Sequence, residues 1–85
     1  MLNMKRLTAE FKLIRVMLKE LSCKPCRYSE LESHVVAKTG TYATFNSILY
    51  FLRKSGFILK DESYRLSDYY LSEKGKLLLE ALTLE

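Results

Sequence analysis

Cys23-Lys24-Pro25-Cys26 has the C-x-x-C spacing used by dithiol redox motifs, by half of a structural zinc site and by short-loop disulfides. A structural zinc ion takes four ligands. Beyond this pair the chain offers only His34 and carboxylates, so no metal site is expected within one subunit. Reactive thiolates favour helix N-termini, whereas this pair follows a helical stretch, where the dipole disfavours an anion. A disulfide, a redox pair and two free thiols all stay open for Cys23 and Cys26. His34 is the single histidine and receives no role. No Gly-rich phosphate loop and no Ser/His/Asp set is present, so neither catalysis nor a cofactor is expected.

A second chemistry lies in residues 39–58, TGTYATFNSILYFLRKSGFI. Gly40 allows a positive φ, and Thr41 can then accept from the exposed amides of the next turn as an N-cap. On a 3.6-residue wheel Phe45, Ile48, Leu49 and Leu52 share one stripe, with Tyr42 at its edge, and this stripe must be buried. The opposite face carries Ala43, Asn46, Ser47, Tyr50 and Lys54, which are small or hydrogen-bonding residues with no carboxylate among them. That face is open to a polar, anionic partner. Ser55-Gly56 ends the helix, and Phe57-Ile58-Leu59 follows with strand composition.

The charge balance agrees with an anionic partner. The chain of 85 residues has a net charge of +4 and a pI near 9.1, a level at which a small domain becomes a nucleic-acid candidate. Residues 1–27 hold seven Lys/Arg against two Glu, while residues 57–85 hold four against six acidic residues. The positive excess is therefore N-terminal. The apolar runs are too short for a membrane span, and the first residues lack the apolar run of a signal peptide, so a cytoplasmic protein is expected.

These residues must be held by a single small domain, 1–85, since a chain of this length buries only about 60% of its unfolded surface. Residues 1–7 read as an N-terminal arm and 8–22 as helix 1, with Phe11, Ile14, Leu18 and Leu21 on one stripe. Lys12, Arg15 and Lys19 line another stripe of that helix, and a plain solvated face explains them. A second apolar edge of helix 1, Ala9, Leu13 and Val16, exceeds what one small core requires. Pro25 breaks the helix. Ser29 and Glu32 match a capping box that opens helix 2, over 29–39, which buries Leu31 and Val35. The tight Gly-containing turn then leads to a third helix over 41–55, which makes a helix-turn-helix. Residues 57–71 contain two strand-like runs around a polar turn at Asp61-Glu62-Ser63-Tyr64. Ser72 caps a last helix, 72–84, apolar over roughly two-thirds of its circumference. Leu77, Leu78, Ala81 and Leu84 of that helix, with Leu13 and Val16 of the first, are expected to meet a second copy of the chain in one isologous interface.

FNSILYFLRKSGFI resembles the recognition helix and first wing strand of MarR-like, PadR-like and small archaeal winged-helix regulators. Tyr69-Tyr70-Leu71-Ser72-Glu73-Lys74-Gly75 is similar to the segment that ends the second wing strand and opens the last helix in the same group. The resemblance covers nearly the whole chain and implies an α+β, mostly α, winged helix-turn-helix: a three-helix core, a two-stranded β wing and a C-terminal helix. It implies a homodimeric, sequence-specific regulator of transcription that binds double-stranded DNA, with the third helix in the major groove and the wing along the backbone. The DNA-facing positions would be Thr41, Ala43, Thr44, Asn46, Ser47, Tyr50, Arg53 and Lys54, with Tyr64 and Arg65 on the wing. Asn46 is the best base reader among them, because a carboxamide pairs bidentately with adenine. Asp61, Glu62 and Asp68 depart from the basic wing that the family would require. Two other readings are a winged-helix module that docks proteins and a sequence-neutral architectural DNA-binding protein. No small-molecule ligand is evident from the sequence.

Overall fold

The computed structural model describes residues 4–39, 44–61 and 68–83, with side chains from Glu10 onward. In chain order the elements are α1 (Met4–Cys23), α2 (Tyr28–Thr39), α3 (Phe45–Lys54), β1 (Ile58–Lys60), β2 (Tyr69–Leu71) and α4 (Glu73–Thr83). Helix α1 starts four residues before the expected position, so most of the expected arm is helical. Nothing between Met4 and Thr8 breaks a helix, and Met, Lys, Arg and Leu are all good helix formers.

The buried stripe of α1 is Leu13, Met17, Leu18 and Leu21. Two expectations need correction here. Leu13 is not part of a subunit boundary but lies in the core of its own chain, and Phe11, expected in the core, is 51% exposed. Leu13, Met17 and Leu21 are spaced at i, i+4, i+8, so once Met17 is counted as apolar they form a stripe as continuous as the expected one.

Helix α2 also begins differently. The Leu31 N–H donates to Arg27 O at 2.9 Å, and the Arg27 N–H donates to Glu30 Oε1 at 3.4 Å. Arg27 therefore stands at the N-cap with Glu30 at N3, and the reciprocal carboxylate of the capping box comes from Glu30, where Ser29 and Glu32 were expected. Just before it, Cys26 pairs with Tyr69 through both backbone groups, N–H to O at 3.0 and 2.8 Å. This bridge lies on the edge of β2 opposite β1, so β2 has backbone partners on both sides.

Strands β1 and β2 are antiparallel in the register Ile58 to Leu71, Leu59 to Tyr70 and Lys60 to Tyr69. Side chains alternate across the sheet as the two-residue period requires. Ile58, Leu71 and Tyr69 join the core, while Leu59 and Tyr70 are exposed. Leu31 and Val35 of α2 and Phe45, Leu49 and Leu52 of α3 complete the core, and Leu78, Leu79 and Leu82 of α4 pack on it half-buried.

Cys23 and Cys26 are free thiols, the first exposed and the second 1% exposed. Burial above all, and the Glu30 carboxylate next, push the Cys26 thiol up from its ordinary pKa. Both effects lower its reactivity, since the thiolate is the nucleophile. Iodoacetamide is expected to label Cys23 of the native protein at least about tenfold faster than Cys26, with Cys26 reacting only after denaturation. Peptide mass spectrometry over a time course reads this, and equal rates would place Cys26 outside the core.

Candidate nucleic-acid interface

Helix α3 presents the face in question, and both of its ends are fixed by local chemistry. Thr44 occupies the N-cap, where its carbonyl accepts from the Ile48 N–H at 3.0 Å and its side chain makes no cap hydrogen bond. Thr41, expected at this position, lies outside the described residues, as do Gly40, Tyr42 and Ala43. At the other end the Phe57 N–H donates to Leu52 O at 2.9 Å and the Gly56 N–H to Arg53 O at 3.1 Å. This is a Schellman closure, and it needs the positive φ of 82° that Gly56 supplies. Ser72 fastens the same corner to α4: its hydroxyl donates to Gly56 O at 2.5 Å and accepts from the Gly75 N–H at 3.0 Å. Lys74 adds a cation at the negative end of the α3 dipole, donating to Ser55 O at 2.7 Å.

With both ends pinned, the buried stripe of Phe45, Leu49 and Leu52 sets the helix phase, so Asn46, Ser47, Tyr50, Arg53 and Lys54 all face outward. Tyr50 is 64% exposed. The Lys54 ammonium donates to the Tyr50 hydroxyl at 3.3 Å and lies 5.5 Å from its ring centroid. The Arg53 guanidinium and the Lys60 ammonium both lie within 6 Å of the Tyr69 ring centroid, at 5.5 and 5.6 Å. One aromatic ring thus gathers a cation from α3 and a cation from the base of the wing. Thr44 is half-buried at the helix start. Tyr64 and Arg65 lie outside the described residues.

Two members of this surface escape a reading by periodicity. Lys60 is one. The other is Tyr28, at the start of α2, whose hydroxyl donates to Asn46 Oδ1 and also lies 3.2 Å from Glu32 Oε2. A phenol has one proton, so it serves one of these acceptors at a time. The Tyr28 ring meets Phe45 edge-on, with centroids 5.7 Å apart and planes at 77°. Partial burial first, and then the Glu32 carboxylate, raise the phenol's pKa, so it stays a donor at neutral pH. Tyr28 therefore orients the Asn46 carboxamide. The Asn46 oxygen keeps a second lone pair and its nitrogen keeps both protons, which is what bidentate pairing with adenine needs. Glu32 brings a carboxylate within one hydrogen bond of a surface whose own helix has none.

Of the residues expected to meet a second copy of the chain, Leu77 is 66% exposed and Ala81 is exposed, while Val16 and Leu78 are half-buried. Leu84 lies outside the described residues. Among the described residues no group of three or more His, Cys, Asp or Glu side chains gathers as a metal site, and no helix is long and apolar enough to cross a membrane.

Two helices joined by the link that carries the Cys26 bridge, a third helix with an open polar face, a two-stranded antiparallel sheet and a closing helix define a winged helix-turn-helix, mostly helical, of the α+β class. Among solved structures, the chain is similar to a crystal structure from Thermoplasma acidophilum of a protein described as a candidate transcriptional regulator. The TM-score is 0.68 at 23% identity, over 88% of this chain and 84% of that one. No protein-family model matches the chain, and no curated protein matches it.

Proposed function

We propose that this protein binds double-stranded DNA sequence-specifically as a homodimer and regulates transcription, with α3 in the major groove. The observation that carries this reading is the outer face of α3, where Asn46, Ser47, Tyr50, Arg53 and Lys54 stand exposed with no carboxylate between Phe45 and Lys54. Amide and hydroxyl groups read base edges, and the cations at the helix C-terminus and at Lys60 meet phosphates. The similar Thermoplasma structure, by its description, agrees with a regulatory role. The exposure of Leu77 and Ala81 supports pairing of two copies, which would space two α3 helices by about 34 Å for successive major grooves of a near-palindromic site.

Selection of bound fragments from a random duplex pool tests the reading. Recovery of one motif with two related half-sites supports it, and recovery of unrelated fragments would favour a sequence-neutral architectural role. On the selected site, Asn46→Ala is expected to relax base preference at one position by about 1–3 kcal/mol while leaving random duplex affinity nearly unchanged. An equal loss on both duplexes would remove Asn46 from base reading. The protein-docking alternative draws on the exposed apolar side chains Phe51, Leu59 and Tyr70, and absence of any duplex binding at low salt would favour it.

A further inference from the structure

A second concentration of positive charge lies away from α3. A groove of about 320 Å³ opens between α1, the C-terminal end of α2 and the C-terminal end of α4, lined by Arg15, Val16, Lys19, Lys38 and Thr83. We propose that this groove is a binding site for a small polyvalent oxyanion, one bearing a di- or triphosphate or several carboxylates.

Arg15 and Lys19 are one helical turn apart on α1, so their side chains share a face and repel each other. Both are exposed, and among the described residues neither forms an ion pair. Lys38 reaches in from α2 and is held by Glu20, whose carboxylate also takes His34 Nδ1 at 3.3 Å. The hydrogen bond from Lys38 holds the Glu20 carboxyl below its ordinary pKa, so Glu20 is ionised at neutral pH. It neutralises one of the three cations and leaves two in excess. An ammonium has three protons, so Lys38 keeps donors for a ligand while Glu20 fixes its position. The result is a cationic concavity assembled from separate elements, with one member pre-oriented by a half-buried carboxylate.

Size and lining set the ligand class. The volume is at the low end of ligand sites, and among the described residues Val16 is the only large apolar one in its lining. A hydrophobic effector would find little to bury there. A compact polyanion would take the Arg15 guanidinium in fork geometry and the two ammonium groups as point charges. None of the lining residues belongs to α3, so the proposal stands independently of the DNA reading. It also supplies what the sequence did not reveal, a place for a small-molecule ligand.

Titration calorimetry of the full chain with sodium pyrophosphate, and separately with citrate, tests this. One-to-one binding of at least one probe with Kd below about 1 mM is expected. Arg15→Gln/Lys19→Gln is expected to weaken it at least about tenfold, and Lys24→Gln/Lys76→Gln, which removes the same charge elsewhere, to change it less than about twofold. Amide shifts of the unmodified protein provide a readout that needs no variant, and they should move at Arg15, Val16 and Lys19. Equal losses in the two double variants would overturn the proposal, because diffuse charge explains them. So would the absence of saturation by either probe up to about 10 mM. If neither probe binds while the groove variant loses duplex affinity, the groove belongs to the DNA backbone.

Discussion

Gly75→Ala is expected to destabilise the fold by about 3 kcal/mol, lowering the melting temperature by roughly 15 °C for a domain this small. A Cβ at this position would stand 2.1 Å from the Phe57 carbonyl oxygen and 3.1 Å from a methyl group of Leu71. The first of these is backbone in the segment that leads from the α3 closure into β1, so it cannot turn aside as a flexible side chain would. Relief must come from moving α4 away from the corner where Ser72, Gly56 and Phe57 are joined by hydrogen bonds. Loosening that corner also loosens the end of α3, so duplex affinity should fall with stability. Thermal unfolding followed by circular dichroism decides the matter, and a shift below about 3 °C would show that the helix and carbonyl separate at little cost.

Arg53→Ala/Lys54→Ala is expected to lower duplex affinity by about 100-fold at moderate salt and to reduce the slope of log K against log salt by nearly 2, since each phosphate contact releases about one counterion. Both side chains are exposed on α3, with Arg53 at the Tyr69 ring and Lys54 at the Tyr50 hydroxyl. The melting temperature should move little, as exposed substitutions usually change stability by less than about 0.5 kcal/mol. Fluorescence anisotropy over a salt series separates the two effects. An unchanged salt slope would mean that these cations do not meet phosphates, whatever happens to affinity.

The two expectations differ in how far the sequence revealed them. The α3 stripe was legible because Phe45, Ile48, Leu49 and Leu52 fall on one side of a short, strongly two-sided helix, and Ser55-Gly56 marks its end. With the phase of α3 set, the outward direction of Asn46, Ser47 and Tyr50 follows. Helix α1 was harder, because apolar residues occupy most of its circumference and periodicity alone cannot choose which arc meets α2 and β2. Leu13 therefore stood at an expected subunit boundary when its place is the core, and Phe11, expected in the core, is exposed. Contacts between elements distant in the chain have no local mark at all. The hydrogen bond from Tyr28 to Asn46 spans 18 residues, the Cys26 bridge to Tyr69 joins opposite halves of the chain, and the groove at Arg15 needs three helices. Gly75 is intermediate: the segment around it resembles a known family pattern, but its reason, the Phe57 carbonyl standing where a Cβ would need to be, is tertiary.

The most direct measurement is a map of backbone amide shifts as a duplex carrying the selected site is titrated into the protein at low salt. The largest changes are expected at Asn46, Ser47, Tyr50, Arg53 and Lys54, with smaller ones at Lys60 and Tyr28. Changes confined to α1 and α4, or no changes at all, would contradict the assignment of the α3 surface to DNA.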